Sequence, residues 1–213
     1  MLPVTRIAEL LQPFLGDETV PPALFDQLHA YLDLLLRWNA RMNLTAVRSP
    51  EQIVTRHFGE SLFASRVLQR AGLLAITPSL SDIGSGAGFP GVPIKLLTPA
   101  IPLTLIESQN KKATFLREVL RTLKLTAAEV FCGRAEAWDK AAAIVTLRAV
   151  EKFETVLPVA VGLVAPGGTL CLLIGEAQLP KVRSALRCGW YMTDGQVIPD
   201  SQGRIVYLAS RTR

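Results

Sequence analysis

Alternating glycines follow a short apolar strand in Ser81-Asp82-Ile83-Gly84-Ser85-Gly86-Ala87-Gly88-Phe89-Pro90-Gly91, the densest glycine cluster of the 213-residue chain. Gly84 and Gly86 can adopt positive φ and offer a backbone without a Cβ in the way. A ligand can then approach closely at the carboxyl edge of a sheet, where open α/β folds bind their ligands. A turn without a ligand would leave the run unexplained, because such glycines weaken folding without compensation. Gly86-x-Gly88-x-x-Gly91 also satisfies the dinucleotide-binding pattern, which by itself discriminates poorly. Asp82 tips the choice. A pyrophosphate beside that carboxylate would be repelled, whereas the ammonium and sulfonium groups of S-adenosyl-L-methionine would not. The strand also ends directly in Asp82-Ile83-Gly84 rather than running into a glycine-rich helix cap.

Glu107 closes the next apolar run, Thr104-Leu105-Ile106-Glu107, about twenty residues beyond the glycines, the spacing at which an acid accepts both hydroxyls of a ribose. A nicotinamide cofactor would use the same acid, so Glu107 supports a nucleoside without naming it. Alternatively it caps a helix beginning near Asn110. Gly133-Arg134-Ala135-Glu136 follows a third strand, where an adenine would cross the sheet edge. The Ala135 N–H can meet a ring nitrogen and Glu136 can accept from the exocyclic amine, although a helix start with Glu136 in its first turn reads the same way.

These residues need a scaffold, and the apolar pattern changes near residue 80. Before it, Ile7, Leu10, Leu11 and Phe14, then Leu24, Leu28, Tyr31, Leu32, Leu35 and Trp38, recur at helical spacing. A further helix carries Ile53, Phe58, Leu62 and Leu68 and ends near Gly72, with an irregular connection between Asn43 and Pro50. Beyond residue 80, strands are expected at 80–83, 103–107, 129–132, 143–147 and 169–174, with helical patterns between successive ones. That alternation implies a parallel sheet covered on both faces. The last two runs, 191–198 and 204–210, have no room for a helix between them and should form an antiparallel hairpin. The layout is that of the class I S-adenosylmethionine-dependent methyltransferase fold: a mostly parallel, doubly wound, Rossmann-like α/β sheet with a C-terminal antiparallel hairpin. It divides into an N-terminal helical segment, 1–75, on the substrate side and a methyltransferase domain, 76–213.

Composition bounds the rest. With 49% hydrophobic residues, 23 Lys and Arg and 18 Asp and Glu, the chain is neither disordered nor fibrous. Three widely spaced cysteines and two histidines support neither a disulfide framework nor a zinc site, and a reducing cytoplasm fits them. Arg6 and Glu9 interrupt the N-terminal apolar run, unlike a secretory signal. Thr155 to Gly175 is long and uncharged but holds Pro158 and Pro166-Gly167-Gly168, so it reads as a buried helix, a turn and a buried strand rather than a membrane span. The net charge of +5 and isoelectric point near 9.4 favour an anionic partner.

Asp82-Ile-Gly-Ser-Gly-Ala-Gly-Phe-Pro-Gly91, Gly133-Arg-Ala-Glu136 and Arg148-Ala149, with Trp38-Asn39, Asn43-Leu44-Thr45, Arg48, Arg56-His57 and Ser61, together resemble the RsmG family, also called GidB, over roughly residues 25 to 210. That family methylates guanine N7 in 16S ribosomal RNA. The resemblance implies S-adenosyl-L-methionine as cofactor, with Gly84, Gly86 and Phe89 at its methionine end, Glu107 and Ser108 at its ribose and Ala135 and Glu136 at its adenine. Arg148 would stand between cofactor and substrate, orienting the base. The chain departs from the family pattern in Ile174-Gly175, where a lysine usually precedes the glycine, and in Glu60, where an aspartate is usual.

RNA affinity would come mostly from phosphate contacts, for which Arg37, Arg41, Arg48, Arg56 and His57 near the helical segment, and Arg148, are the candidates. Arg117, Arg121 and Lys124 read as a solvated helix face. His57 contacts a nucleotide or merely ties helix to loop. No metal, membrane or second copy of the chain is expected. The competing readings are a ribosome-assembly or RNA-binding protein that keeps the fold without catalysis, and a nicotinamide-dependent oxidoreductase.

Overall fold

Residues 2–75, 78–148, 153–186 and 188–213 are described by a computed structural model. In the first third, α1 (Val4–Leu15) buries Ile7, Leu11, Phe14 and Leu15, and α2 (Leu24–Asn39) buries Leu24, Leu28, Tyr31, Leu32 and Leu35. Steps of three and four place each set along one stripe. Ser49 opens α3 (Pro50–Ile53), its Oγ accepting from Gln52 N, and Pro50 sits in the first turn, where a missing N–H costs nothing. The helix then widens into a π-helical turn, Val54–Gly59, before continuing as α4 (Glu60–Arg70). Ile53, Phe58, Leu62 and Leu68 are all buried, as their spacing predicts. The π turn is new information: such turns break the regular i→i−4 ladder and cluster at functional sites, and this one carries Arg56 and His57.

The second part runs β1 (Leu80–Ile83), α5 (Gly91–Leu97), β2 (Leu103–Glu107), α6 (Asn110–Thr122), β3 (Ala128–Cys132), β4 (Ala142–Arg148), α7 (Phe153–Gly162), β5 (Val164–Gly175), α8 (Leu179–Ala185), β6 (Trp190–Met192), β7 (Gln196–Val197) and β8 (Arg204–Arg211). The sheet order is β3-β2-β1-β4-β5-β8-β6, with β7 also on β8. The five strands from β1 to β5 pair in parallel, and β8 lies antiparallel to β5. Side chains alternate between the faces, as the period of two requires. Val145, Leu147, Leu170, Leu172, Ile205 and Tyr207 pack with Phe153, Leu157 and Val182. Ile144, Cys171, Leu173, Val206 and Leu208 belong to the opposite core, which they share with α1, α2 and α4. The N-terminal helices are therefore continuous in packing with one face of the sheet.

Three expectations need correction. The connection from β3 to β4 holds only a 3-10 turn, Ala135–Ala137, and no α-helix, because so few residues cannot both cross the sheet and complete one. Pro166-Gly167-Gly168 is not a turn before a strand: β5 already starts at Val164, and the three residues form an irregularity in its pairing with β4. Gly167 supplies the positive φ there, and a Cβ on Gly168 would meet the Ala143 carbonyl oxygen at 2.8 Å. Finally, the run 191–198 is two short strands, β6 and β7, both on the same β8 edge and separated at Thr193-Asp194-Gly195.

Candidate active site

A cavity of 540 Å³ opens at the carboxyl edge of β1, β2 and β4. The glycine loop after β1, the end of β2, the turn after β3, Arg148 and α7 form most of its wall, and Leu44, Thr45 and His57 reach it from the helical segment. Gly84, Gly86, Phe89, Glu107, Ser108, Ala135, Glu136 and Arg148 all line this one space. His57 joins them, while Arg48 and Arg56 stay outside on the exposed surface.

Asp82 does not face the cavity, contrary to the charge argument made from its position. It is fully buried behind the loop, where Oδ1 accepts from Thr146 Oγ1 at 2.7 Å and Oδ2 from Gly91 N at 3.2 Å, while Ser85 Oγ donates to its carbonyl oxygen at 2.8 Å. The acid thus fastens the loop to β4 and α5. Gly91 is required for the fit, since a Cβ there would stand 2.9 Å from Asp82 Oδ2 and 2.8 Å from Leu105 Cδ2.

Burial pushes the Asp82 carboxyl from 3.8 up to about 6 against the pull of those hydrogen bonds. A raised folded-state value means that the folded chain holds the extra proton between those limits, so this group's stabilisation is complete below pH 3.8 and is lost as pH rises through 6. At about 1.36 kcal/mol per pH unit the change is about 3 kcal/mol. Urea unfolding of wild type and Asp82→Asn across this range should show the difference between them moving against the wild type by that order. A constant difference would contradict it.

Glu107 is 5% exposed and braced on both oxygens: Oε2 accepts from Gly86 N at 3.0 Å and Oε1 from Gln109 N at 2.8 Å. It thereby joins the glycine loop to the end of β2, and each carboxylate oxygen keeps further acceptor capacity toward the cavity. The same contact sets Glu107 at the start of α6, where it meets the backbone N–H of Gln109, the residue before the helix, whose own side chain makes no cap bond.

Arg148 ends β4 with a side chain 10% exposed. Its Nη2 donates to Arg56 O at 2.5 Å and to Glu60 Oε2 at 3.0 Å, and lies 3.1 Å from His57 Nδ1. Glu60 is 3% exposed and also meets Arg204 Nη1 at 2.7 Å through Oε1, a close ion pair rather than an aligned hydrogen bond. Burial pushes the Glu60 carboxyl up and the Arg148 guanidinium down, while each favours the other's charge.

The His57 ring stacks on Phe89 at 4.9 Å and its Nε2 lies 2.7 Å from Thr45 Oγ1. Burial, then the charges of Arg148, Arg56 and Arg204, hold its pKa down to about 3, so the ring is neutral at physiological pH. It ties the π turn to the loop after α2 and lines the cavity at once. That loop is braced by Asn39 Oδ1, which accepts from Leu44 N and Thr45 N, and by Arg48, which donates to Asn39 O and Asn43 Oδ1.

Sequence reasoning missed Thr45, Glu60 and Arg204 as members of this cluster. Thr45 and Glu60 lie inside motifs that the sequence displays. Arg204 lies far along the chain in β8, and no local pattern pairs it with Glu60.

The parallel sheet closed by an antiparallel β8, with a glycine loop after β1 and an acid ending β2, defines a class I methyltransferase. Solved structures agree on the fold. The ribosomal protein L11 methylase from Lactobacillus delbrueckii subsp. bulgaricus superposes with a TM-score of 0.60 at 15% identity, covering 73% of this chain and 80% of that one. TrmN from Thermus thermophilus superposes with a TM-score of 0.59 at 16% identity, covering 74% and 53%. The family model for GidB, rRNA small subunit methyltransferase G, matches residues 25–188. Relatives called ribosomal RNA small subunit methyltransferase G are 40% identical over 91% of this chain and 87% of the Xanthomonas euvesicatoria protein, and 37% identical over 88% and 86% for Stenotrophomonas maltophilia. This chain belongs to the rRNA small subunit methyltransferase G family.

Proposed function

We propose that the chain transfers the methyl group of S-adenosyl-L-methionine to N7 of a guanosine in 16S ribosomal RNA. The observation that carries this reading is one cavity lined both by the braced glycine loop, Glu107 and Glu136 and by the Arg148–His57 cluster. Gly84, Gly86 and Phe89 would hold the methionine portion of the cofactor, Glu107 and Ser108 its ribose, and Ala135 and Glu136 its adenine. Glu107 fits a ribose because both its oxygens are fixed and open to further donors. When bound, the cofactor supplies an electrophilic methyl group on sulfur.

Guanine N7 has an in-plane lone pair and no proton, so the protein need not supply a base. Its task is alignment, worth about 7–11 kcal/mol when geometry is well fixed. His57, kept neutral, and Arg148, held by Glu60, form a rigid wall suited to that task. Arg48 and Arg56, exposed beside the cavity, would meet RNA phosphates, which makes affinity salt-dependent. Among the described residues no helix is long and apolar enough to cross a membrane. A cytoplasmic monomer working on 16S RNA or the small subunit completes the reading.

The test is transfer of labelled methyl from S-adenosyl-L-methionine to small subunits, or to their naked RNA, from a strain lacking the modification, with the product nucleotide mapped. Label on another atom, or none, would overturn the proposal, and tight RNA binding without label would favour the assembly-protein alternative. Preference for NAD in a calorimetric titration would favour the oxidoreductase. Within the same reading, Glu107→Ala should weaken cofactor binding by about 1.5–3 kcal/mol per lost hydrogen bond while RNA affinity holds. Parallel loss in both assays would make Glu107 structural.

A further inference from the structure

We propose that Tyr31, in the substrate-side helical segment, is a positioning residue for the cofactor: its hydroxyl fixes the part of the glycine loop that holds the methionine arm. This rests on the S-adenosyl-L-methionine reading above. Tyr31 lies on α2 and is fully buried. Its hydroxyl donates to the carbonyl oxygen of Ala87, which receives no other hydrogen bond among the described residues. Its ring stacks on Phe89 with centroids 5.6 Å apart, and on Phe58 of the π turn at 5.2 Å. Burial, then the charge of Asp82, raises the phenol pKa well above its ordinary value, so the hydroxyl keeps its proton and donates at physiological pH.

Ala87 stands between Gly86 at φ +58° and Gly88 at φ +93°, two residues whose backbone is the least restricted of any. The loop needs anchors outside itself. Gly86 N has one in Glu107 Oε2 of β2, at 3.0 Å. Gly88 N and Phe89 N instead turn back on Ser85 O at 2.7 and 3.1 Å, bonds that hold the loop together without tying it to another element. Tyr31 supplies that tie from α2. Gly88 accommodates it, since a Cβ there would overlap the Tyr31 hydroxyl. Both contacts, to Ala87 and to Phe89, fall on the stretch that would hold the methionine arm, whereas Glu107 and the turn after β3 set the nucleoside end. Loss of the hydroxyl is therefore felt at one end of the cofactor only.

The experiment is a calorimetric titration of the wild type and of Tyr31→Phe with S-adenosyl-L-homocysteine and with 5′-methylthioadenosine. The two ligands share the adenosine thioether and differ in the amino-acid arm, which only the first carries. Phenylalanine keeps the ring and both stacks and removes a single hydroxyl, so the variant folds, as circular dichroism and melting of the same sample verify. Tyr31→Phe should raise the Kd for S-adenosyl-L-homocysteine about tenfold, the scale of one hydrogen bond, and leave the Kd for 5′-methylthioadenosine unchanged.

An equal rise for both ligands would make Tyr31 a structural residue, and no rise for either would separate its hydroxyl from the cofactor; each overturns the proposal. The wild type provides a check that needs no variant: it must bind S-adenosyl-L-homocysteine more tightly than 5′-methylthioadenosine, and equal affinities overturn the proposal because the arm is then not held by the loop. If the wild type binds neither ligand, the S-adenosyl-L-methionine reading itself fails and takes the role of Tyr31 with it.

Discussion

Arg148→Lys is expected to lower the single-turnover rate of methyl transfer at saturating cofactor by about a hundredfold, equivalent to about 3 kcal/mol. One nitrogen of the planar guanidinium meets Arg56 O, Glu60 Oε2 and His57 Nδ1 together. Lysine keeps the charge, so Glu60 is not left buried without a partner, but its stem is one bond shorter and flexible, so an ammonium cannot take the place that the rigid guanidinium gives Nη2 among all three partners. The His57 ring then loses a neighbour that holds it in place, and the cavity wall loosens where the base must align. RNA binding should keep its salt dependence, since the number of positive charges is unchanged. Normal turnover in the lysine variant, with only Arg148→Ala impaired, would reduce Arg148 to a point charge.

Gly86→Val is expected to abolish cofactor binding at concentrations that saturate the wild type. Gly86 sits at φ +58°, and a Cβ added there would have only the Gly84 carbonyl oxygen nearby, at 3.7 Å, with open cavity beyond. A β-branched residue in the left-handed region costs about 1–3 kcal/mol of backbone strain. Its methyl groups would occupy the space that a close-approaching ligand needs. Since the neighbourhood is open, the fold itself should survive, with melting lowered by a few degrees. Calorimetry and thermal melting of the same sample separate the two effects. Wild-type affinity in this variant would place the cofactor elsewhere.

The strands of the central sheet and the glycine loop were legible because their signals are local. Four- to six-residue apolar runs, with glycines directly behind the first, place β1 and β2 at the observed limits and β3 and β4 within one residue at each end. Glu107 was legible for the same reason, since it closes a strand at a spacing that the fold imposes. The class of fold and the family both followed from short contiguous stretches of chain.

What the sequence by itself determined, then, was the order of elements and the residues that the topology carries to one sheet edge. Only the tertiary structure decided which way those residues turn and what they touch. Asp82 precedes the glycines, but its burial behind the loop depends on Thr146 of β4 and Gly91 of α5. Pro166-Gly167-Gly168 has the composition of a turn, yet pairing with β4 on both sides of it, at Val164 and again from Thr169, absorbs it into β5 as an irregularity. The Arg148–Glu60–Arg204 cluster joins β4, α4 and β8, and Thr45 meets His57 from another element. Burial, charge pairing and side-chain contacts depend on neighbours distant in the chain, and no local spacing encodes them.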